Sequence, residues 1–144
     1  MIYYADSSFL VSCYIVDANT AQAKNYLLHA AMPLVFTALH DLEIRNAFEL
    51  GIFRGQLTAV QAAAATANLE RDLRNGLLQR KIVRWTPAFN RAAILSRQHS
   101  AALGTRSIDI LHIAVAKAMR ATEFISFDSR QRALATAAGL HVAP

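Results

Sequence analysis

The stretch "EFISFDSRQRAL", residues 123–134, runs from a short apolar, β-prone segment straight into a helical pattern, with one carboxylate, Asp128, at the junction. A strand that passes at once into a helix is the building unit of a parallel α/β sheet. Asp at a helix start satisfies free N–H groups and suits the positive end of the helix, so Asp128 taken alone reads equally well as a cap. The chain opens with the same arrangement. In "IYYADSSFLV", residues 2–11, a strand-like run ends in Asp6 and a second apolar helical segment follows. Two acids at two strand ends suggest a shared site.

Outward from these two junctions the pattern repeats. Short β-rich runs stand at 2–4, 34–37, 82–85, 124–127 and 141–143, and helical periodicity fills 8–16, 19–30, 38–54, 58–77, 87–102, 107–120 and 129–138. Gly55, Gly76, Gly104 and Gly139 stand near helix ends as stop signals. Most of the strand segments are continuously apolar rather than alternating, which predicts an α/β fold with a parallel sheet of about five strands covered by helices on both faces. Two long helices between the second and third strands predict a helical pair projecting from the sheet, and its Ala-rich part, "AVQAAAATANLE", reads as a closely packed helix.

With 144 residues, 54% of them hydrophobic, and only five Gly and three Pro, the chain predicts one domain over 1–144 with a full core. Its longest apolar run, "FLVSCYIV", is too short to cross a bilayer, and no basic segment precedes an apolar one at the N-terminus, so a cytoplasmic protein without a membrane partner is expected. The single cysteine, Cys13, lies within that run and reads as a small buried thiol. The net charge is +5, and residues 71–106 hold Arg71, Arg74, Arg80, Lys81, Arg84, Arg91, Arg97 and Arg106 against one acid, Asp72. Solvated helical faces and a phosphate-backbone partner both account for that excess.

Two further acids stand out. In "GTRSIDILHIAVAKAM" Ser107 is placed to cap a helix, Asp109 falls in its first turn, and Ile108, Leu111 and Val115 form the expected core stripe. Compensation of the helix dipole is the alternative reason for Asp109. In "TALHDLEIRNAFEL" Glu43 shares a helical face with Leu39 and Ala47. A carboxylate on an inward face needs a partner, which an Arg from elsewhere would satisfy as well as a cation. Asp17, Asp41, Glu49, Glu70, Asp72 and Glu123 read as surface positions or caps. Four convergent carboxylates would suit Mg²⁺ or Mn²⁺, hard ions that take oxygen ligands beside substrate phosphates. His29, His40, His99, His112 and His141 are scattered and show no zinc spacing.

The ordered set "YADSSFLV", "TALHDLEIRNAF", "RSIDILHIAVA" and "FISFDSRQRALATAAGL" resembles PIN-domain proteins, most closely the VapC-type toxins of bacterial toxin–antitoxin pairs, over nearly the whole chain. The resemblance implies a three-layer α/β/α sandwich with a protruding helical pair. It also implies that Asp6, Glu43, Asp109 and Asp128 are the catalytic, metal-binding acids, and that Ser8 and Ser126 are the hydroxyl positions beside the first and last of them. Ser126 stands where many relatives have Thr, and the hydroxyl is retained. The activity implied is that of a Mg²⁺-dependent endoribonuclease, with Mn²⁺ as substitute, acting on RNA as a toxin, paired with a VapB-like antitoxin and forming a homodimer. The alternatives are a catalytically weak PIN domain that binds RNA or protein, and a metal-dependent nuclease acting on DNA. A phosphoryl-accepting receiver domain also gathers acids at strand ends, but it needs a Lys near the last strands, and Lys24, Lys81 and Lys117 are not so placed.

Overall fold

The computed structural model describes residues 1–30 and 33–144. Five strands follow the first-to-last chain order β1 (Tyr3–Ala5), β2 (Leu34–Phe36), β3 (Leu78–Arg80), β4 (Glu123–Ile125) and β5 (His141–Ala143). The helices are α1 (Ser7–Tyr14), α2 (Thr20–His29), α3 (Ala38–Phe53), α4 (Ala59–Arg74), α5 (Trp85–Leu95), α6 (Ala101–Leu103), α7 (Ser107–Ala118) and α8 (Ser129–Ala137), with a π-helical segment at Ser96–Ser100 continuing α5 into α6. The strands form one parallel sheet of order β3-β2-β1-β4-β5, the α/β class expected. No helix among the described residues is long and apolar enough to cross a membrane.

Contacts cluster into two compact units, residues 1–6 with 82–144 and residues 7–81. In the first, β1, β4 and β5 pair in register, Tyr4 against Phe124 and Phe124 against Val142. The Tyr4 and Phe124 rings stack at 5.9 Å, and the buried Tyr4 hydroxyl meets His112 Nδ1 at 2.9 Å. Helix α7 packs on α5 and α8. Residues 110–116 of α7 are all buried, so this helix is enclosed on every side rather than along one stripe. Ile108, expected in that stripe, is 42% exposed because it precedes the enclosed turns. Ser107 is not the cap either; Arg106 holds the cap position and makes no side-chain cap bond.

In the second unit α1 packs on α2, α3 and α4, and α3 packs on α4. Helices α3 and α4 both start with a capping box, Thr37 with His40 and Thr58 with Gln61, so local chemistry sets both starts. Gly51 lets the α3–α4 turn fold back closely, since a Cβ there would stand 2.6 Å from Leu57 Cδ1.

The third strand is the one misplaced by the sequence. The β-branched run at 82–85 predicts it, yet Ile82 is 98% exposed and β3 lies at Leu78–Arg80, pairing Leu34 with Leu78. Only Leu78 of β3 is buried, so this edge strand carries almost no apolar pattern of its own.

Within α1 the Cys13 thiol donates to the Phe9 carbonyl at 3.3 Å, and burial, reinforced by Asp17, pushes its pKa up to about 12 from 9.0. Tyr14 donates to Asp72 at 3.0 Å; burial, then the Asp72 charge, raises it well above the ordinary phenol range. Both groups keep their protons in the folded state at pH values where the unfolded chain releases them. The Cys13 contribution is therefore complete below its ordinary value of 9.0 and lost as pH rises toward 12, and that of Tyr14 is lost in the same direction above its own ordinary value of 10.0. Urea unfolding is expected to show lower stability at about pH 10.5 than at neutrality, and Cys13→Ala is expected to flatten that fall.

Candidate functional site

In strand order 3-2-1-4-5 the direction of winding reverses between β1 and β4, and ligands of open parallel sheets bind beyond the carboxyl ends of the strands at such a point. Asp6 follows β1 and Ser126 follows β4, both at this switch. Ladder bonds carry both positions one residue beyond their strands: Asp6 N–H donates to the Ile125 carbonyl at 2.9 Å and Ser126 N–H to the Ala143 carbonyl at 3.0 Å. The backbone thus fixes where the two side chains start.

Asp6 is 3% exposed and Ser126 fully buried, and the Ser126 hydroxyl lies 2.7 Å from Asp6 Oδ2, to which it donates. A carboxylate in so dry a place needs such a donor. The same Ser126 oxygen accepts the Asp128 N–H at 3.0 Å. Arg132 Nη1 donates to the Ser126 and Pro144 carbonyls, each at 2.8 Å, and braces the turn from behind.

Asp128 is the N-cap of α8. Its Oδ1 accepts the Gln131 N–H at 2.8 Å, while Oδ2 has no bonded partner among the described residues. The capping role is real and occupies one oxygen of two. Asp109 lies in the first turn of α7, half-buried, and its Oδ2 accepts from Arg106 Nε at 2.9 Å. Asp6, Asp109 and Asp128 all belong to the first unit, where the Ser126 hydroxyl meets both the Asp6 carboxylate and the Asp128 backbone N–H.

Glu43 belongs to the second unit, where the Ser7 hydroxyl donates to its Oε2 at 2.7 Å. Ser8, the hydroxyl expected beside Asp6, is exposed, and its carbonyl accepts from Ser12 at 3.2 Å. The acids assigned to the surface prove well engaged: Asp41 and Glu70 both bind Arg45, Asp41 also faces Arg80 at 3.5 Å, Asp17 caps the turn before α2, and Glu123 meets His141 at 3.1 Å.

Two residues escaped the sequence reading. Ser7 sits one place before the serine singled out, and only the phase of α1 tells which of the pair faces inward. Gln131 is 1% exposed, with its Oε1 3.0 Å from the Ser126 hydroxyl and its Nε2 3.5 Å from the Asp109 carbonyl. A glutamine three places after a capping Asp signals an ordinary helix start, which conceals its position here.

Among the described residues no group of three or more Asp, Glu, His or Cys side chains is gathered tightly enough to hold a metal ion by itself. Mg²⁺ rarely needs such a cage, because it keeps several waters and takes one or two carboxylates beside substrate phosphates. The donor chemistry suits it, with hard carboxylate oxygens on Asp109 and Asp128 that carry no bond among the described residues: Asp109 Oδ1 and Asp128 Oδ2. The eight cations of 71–106 are all exposed, and Arg74, Lys81, Arg84, Arg91 and Arg97 form no ion pair among the described residues.

A PIN domain family model matches residues 3–137. No curated protein matches the sequence. Among solved structures the chain is similar to VapC20 of Mycobacterium tuberculosis, a toxin that cleaves the sarcin–ricin loop, at 17% identity and a TM-score of 0.67, covering 96% of this chain and 95% of that one. It is similar to FitAcB of Neisseria gonorrhoeae at 15% identity and a TM-score of 0.69, covering 99% and 97%. The third similar structure is PAE2754 of Pyrobaculum aerophilum, at 17% identity and a TM-score of 0.64, covering 99% and 89%.

The two capping and bracing roles are separable by mutation. Ser126→Ala is expected to lower stability by about 1–3 kcal/mol in urea unfolding, since it removes a donor from a buried carboxylate. Asp128→Ala is expected to cost about 1 kcal/mol through the lost cap, and Asp128→Asn almost nothing, because Asn caps nearly as well.

Proposed function

The chain belongs to the PIN domain family, and from that premise we propose that it is a metal-dependent endoribonuclease acting as the toxin of a toxin–antitoxin pair. One observation carries the reading: a buried carboxylate, Asp6, is held by a hydroxyl at the switch point of the sheet, within a chain that matches the family over residues 3–137. The likeness to VapC20, a sarcin–ricin loop cleaving toxin, supports the toxin part of the reading through fold alone.

Asp6, Asp109 and Asp128 are the proposed metal-binding acids of the first unit, and Glu43 joins them on the motif resemblance. Mg²⁺ or Mn²⁺ held there supplies Lewis-acid polarisation of the phosphate and a bound water of lowered pKa. The chain's own part is orientation. Ser126 holds one Asp6 oxygen in place, the α8 cap fixes the Asp128 carboxyl, and Arg106 restrains Asp109 from the solvent side. The unpaired cations Arg74, Lys81, Arg84, Arg91 and Arg97 supply attraction for a polyanion, whose affinity falls with salt. Unpaired, splayed nucleotides are the usual means of base recognition in RNA. The proposal extends to a single functional domain over 1–144, a cytoplasmic setting, a homodimer and a small VapB-like antitoxin.

The purified protein is expected to cleave RNA with Mg²⁺ or Mn²⁺ and to lose activity in EDTA. Asp6→Asn and Asp109→Asn are expected to lower cleavage by more than about 100-fold, beyond the range typical of residues that only support a metal ligand. A folded Asp6→Asn variant with full activity would overturn the site, and cleavage of DNA in preference to RNA would overturn the substrate. Expression alone is expected to arrest growth of a bacterial host, with arrest absent in the Asp109→Asn variant. Harmless expression of RNA-cleaving protein would remove the toxin role and leave the nuclease.

A further inference from the structure

Gln131 occupies the third position of α8, where a Gln side chain ordinarily turns back onto the N–H of the capping residue. The chain contains that ordinary case. At the start of α4, Gln61 Oε1 accepts the Thr58 N–H at 2.8 Å. At the start of α8 the arrangement differs, because the Asp128 N–H is taken by Ser126 Oγ at 3.0 Å. Gln131 is thereby released from the box, and its amide turns inward to a place where it is 1% exposed.

A buried amide is costly unless it is bonded, and a leucine would fill the same space without that cost. The amide does have partners, and they lie on the segments that carry the acids. Its Oε1 is 3.0 Å from the Ser126 hydroxyl, which also reaches Asp6; its Nε2 is 3.5 Å from the Asp109 carbonyl; its own N–H bonds the Asp128 carboxyl at 2.8 Å. One side chain therefore touches the end of β4 and the first turn of α7 while its backbone fixes Asp128.

We propose that Gln131 is a positioning residue of the metal site, which sets the spacing between the segments bearing Asp6, Asp109 and Asp128 and thereby the affinity for the divalent ion. The inference rests on the functional reading above. Two effects of losing the amide act in one direction. The first turn of α7 loses its tie to β4. The Ser126 hydroxyl, which already donates to Asp6, loses the neighbouring amide that helps fix its position, so the Asp6 oxygen it meets is held less firmly. Outer partners of this kind typically change metal affinity or activity by about 10–100-fold.

The test uses the full chain and Mn²⁺ alone, with the dissociation constant read by calorimetry without RNA. Gln131→Met keeps length and helix propensity and is expected to raise the Mn²⁺ dissociation constant about 10-fold or more. RNA cleavage is expected to fall at low Mn²⁺ and to recover toward the wild-type kcat at saturating Mn²⁺, which a general loss of packing would not do. Gln61→Met removes the ordinary capping glutamine and is expected to leave Mn²⁺ affinity unchanged. Should Gln131→Met not fold, Gln131→Ala serves instead, with weakened Mn²⁺ binding again the expected result. Wild-type binding of Mn²⁺ with an unchanged dissociation constant in a folded Gln131 variant overturns this inference alone. A wild-type protein that neither binds Mn²⁺ nor cleaves RNA overturns the functional reading and this inference together.

Discussion

The hydrogen bond from Ser126 to Asp6 joins two strand ends that lie 120 residues apart in the chain, in a place from which water is nearly excluded. A carboxylate in so dry a place needs hydrogen-bond donors, and Ser126 supplies one at 2.7 Å. That donor is available only because β4, and not β2, is the neighbour on this side of β1. The reversal of winding between β1 and β4 and the survival of a buried acid are thus two aspects of one constraint. Ser126 also receives the Asp128 N–H, so the start of α8 is aligned by the same oxygen that steadies Asp6.

Asp128 shows that a helix cap leaves part of a carboxylate unused. Its first oxygen caps the start of α8 and its second has no partner among the described residues, so local folding uses only half of the carboxylate. Asp109 divides its oxygens likewise, with one on the exposed guanidinium of Arg106. An exposed pair of that kind is weak and screened by salt, so it contributes little to stability. The acids of the second unit behave otherwise. Arg45 binds both Asp41 and Glu70 and ties α3 to α4, a purely structural use of charge.

Charge placement separates the two uses on a larger scale. Five exposed cations of residues 71–106 carry no ion pair among the described residues, although Asp and Glu elsewhere are mostly engaged. Cations left unpaired at the surface contribute little to stability and much to the attraction of a polyanion. The carboxylate oxygens left over from capping and the cations that do not pair with acids are two features that the folding of the described residues leaves unused.

The sequence by itself determined the alternation of strands and helices, four of the five strands and every long helix, because burial imposes local periodicity and the caps act within a few residues. It also marked the acids, since a carboxylate on an apolar face or at a strand end is visible without coordinates. What it did not determine was whatever depends on neighbours distant in the chain. The strand at Leu78–Arg80 is held by β2 and not by its own composition, while the β-branched run at 82–85, with Ile82 in water, has no strand to pair with. The phase of α1, which turns Ser7 and not Ser8 toward Glu43, was likewise decided by packing. So was the inward turn of Gln131, whose neighbour in sequence lost its usual N–H to an oxygen from the end of β4. Hydrogen-bond partners are chosen by proximity in space, and only the tertiary structure sets that proximity.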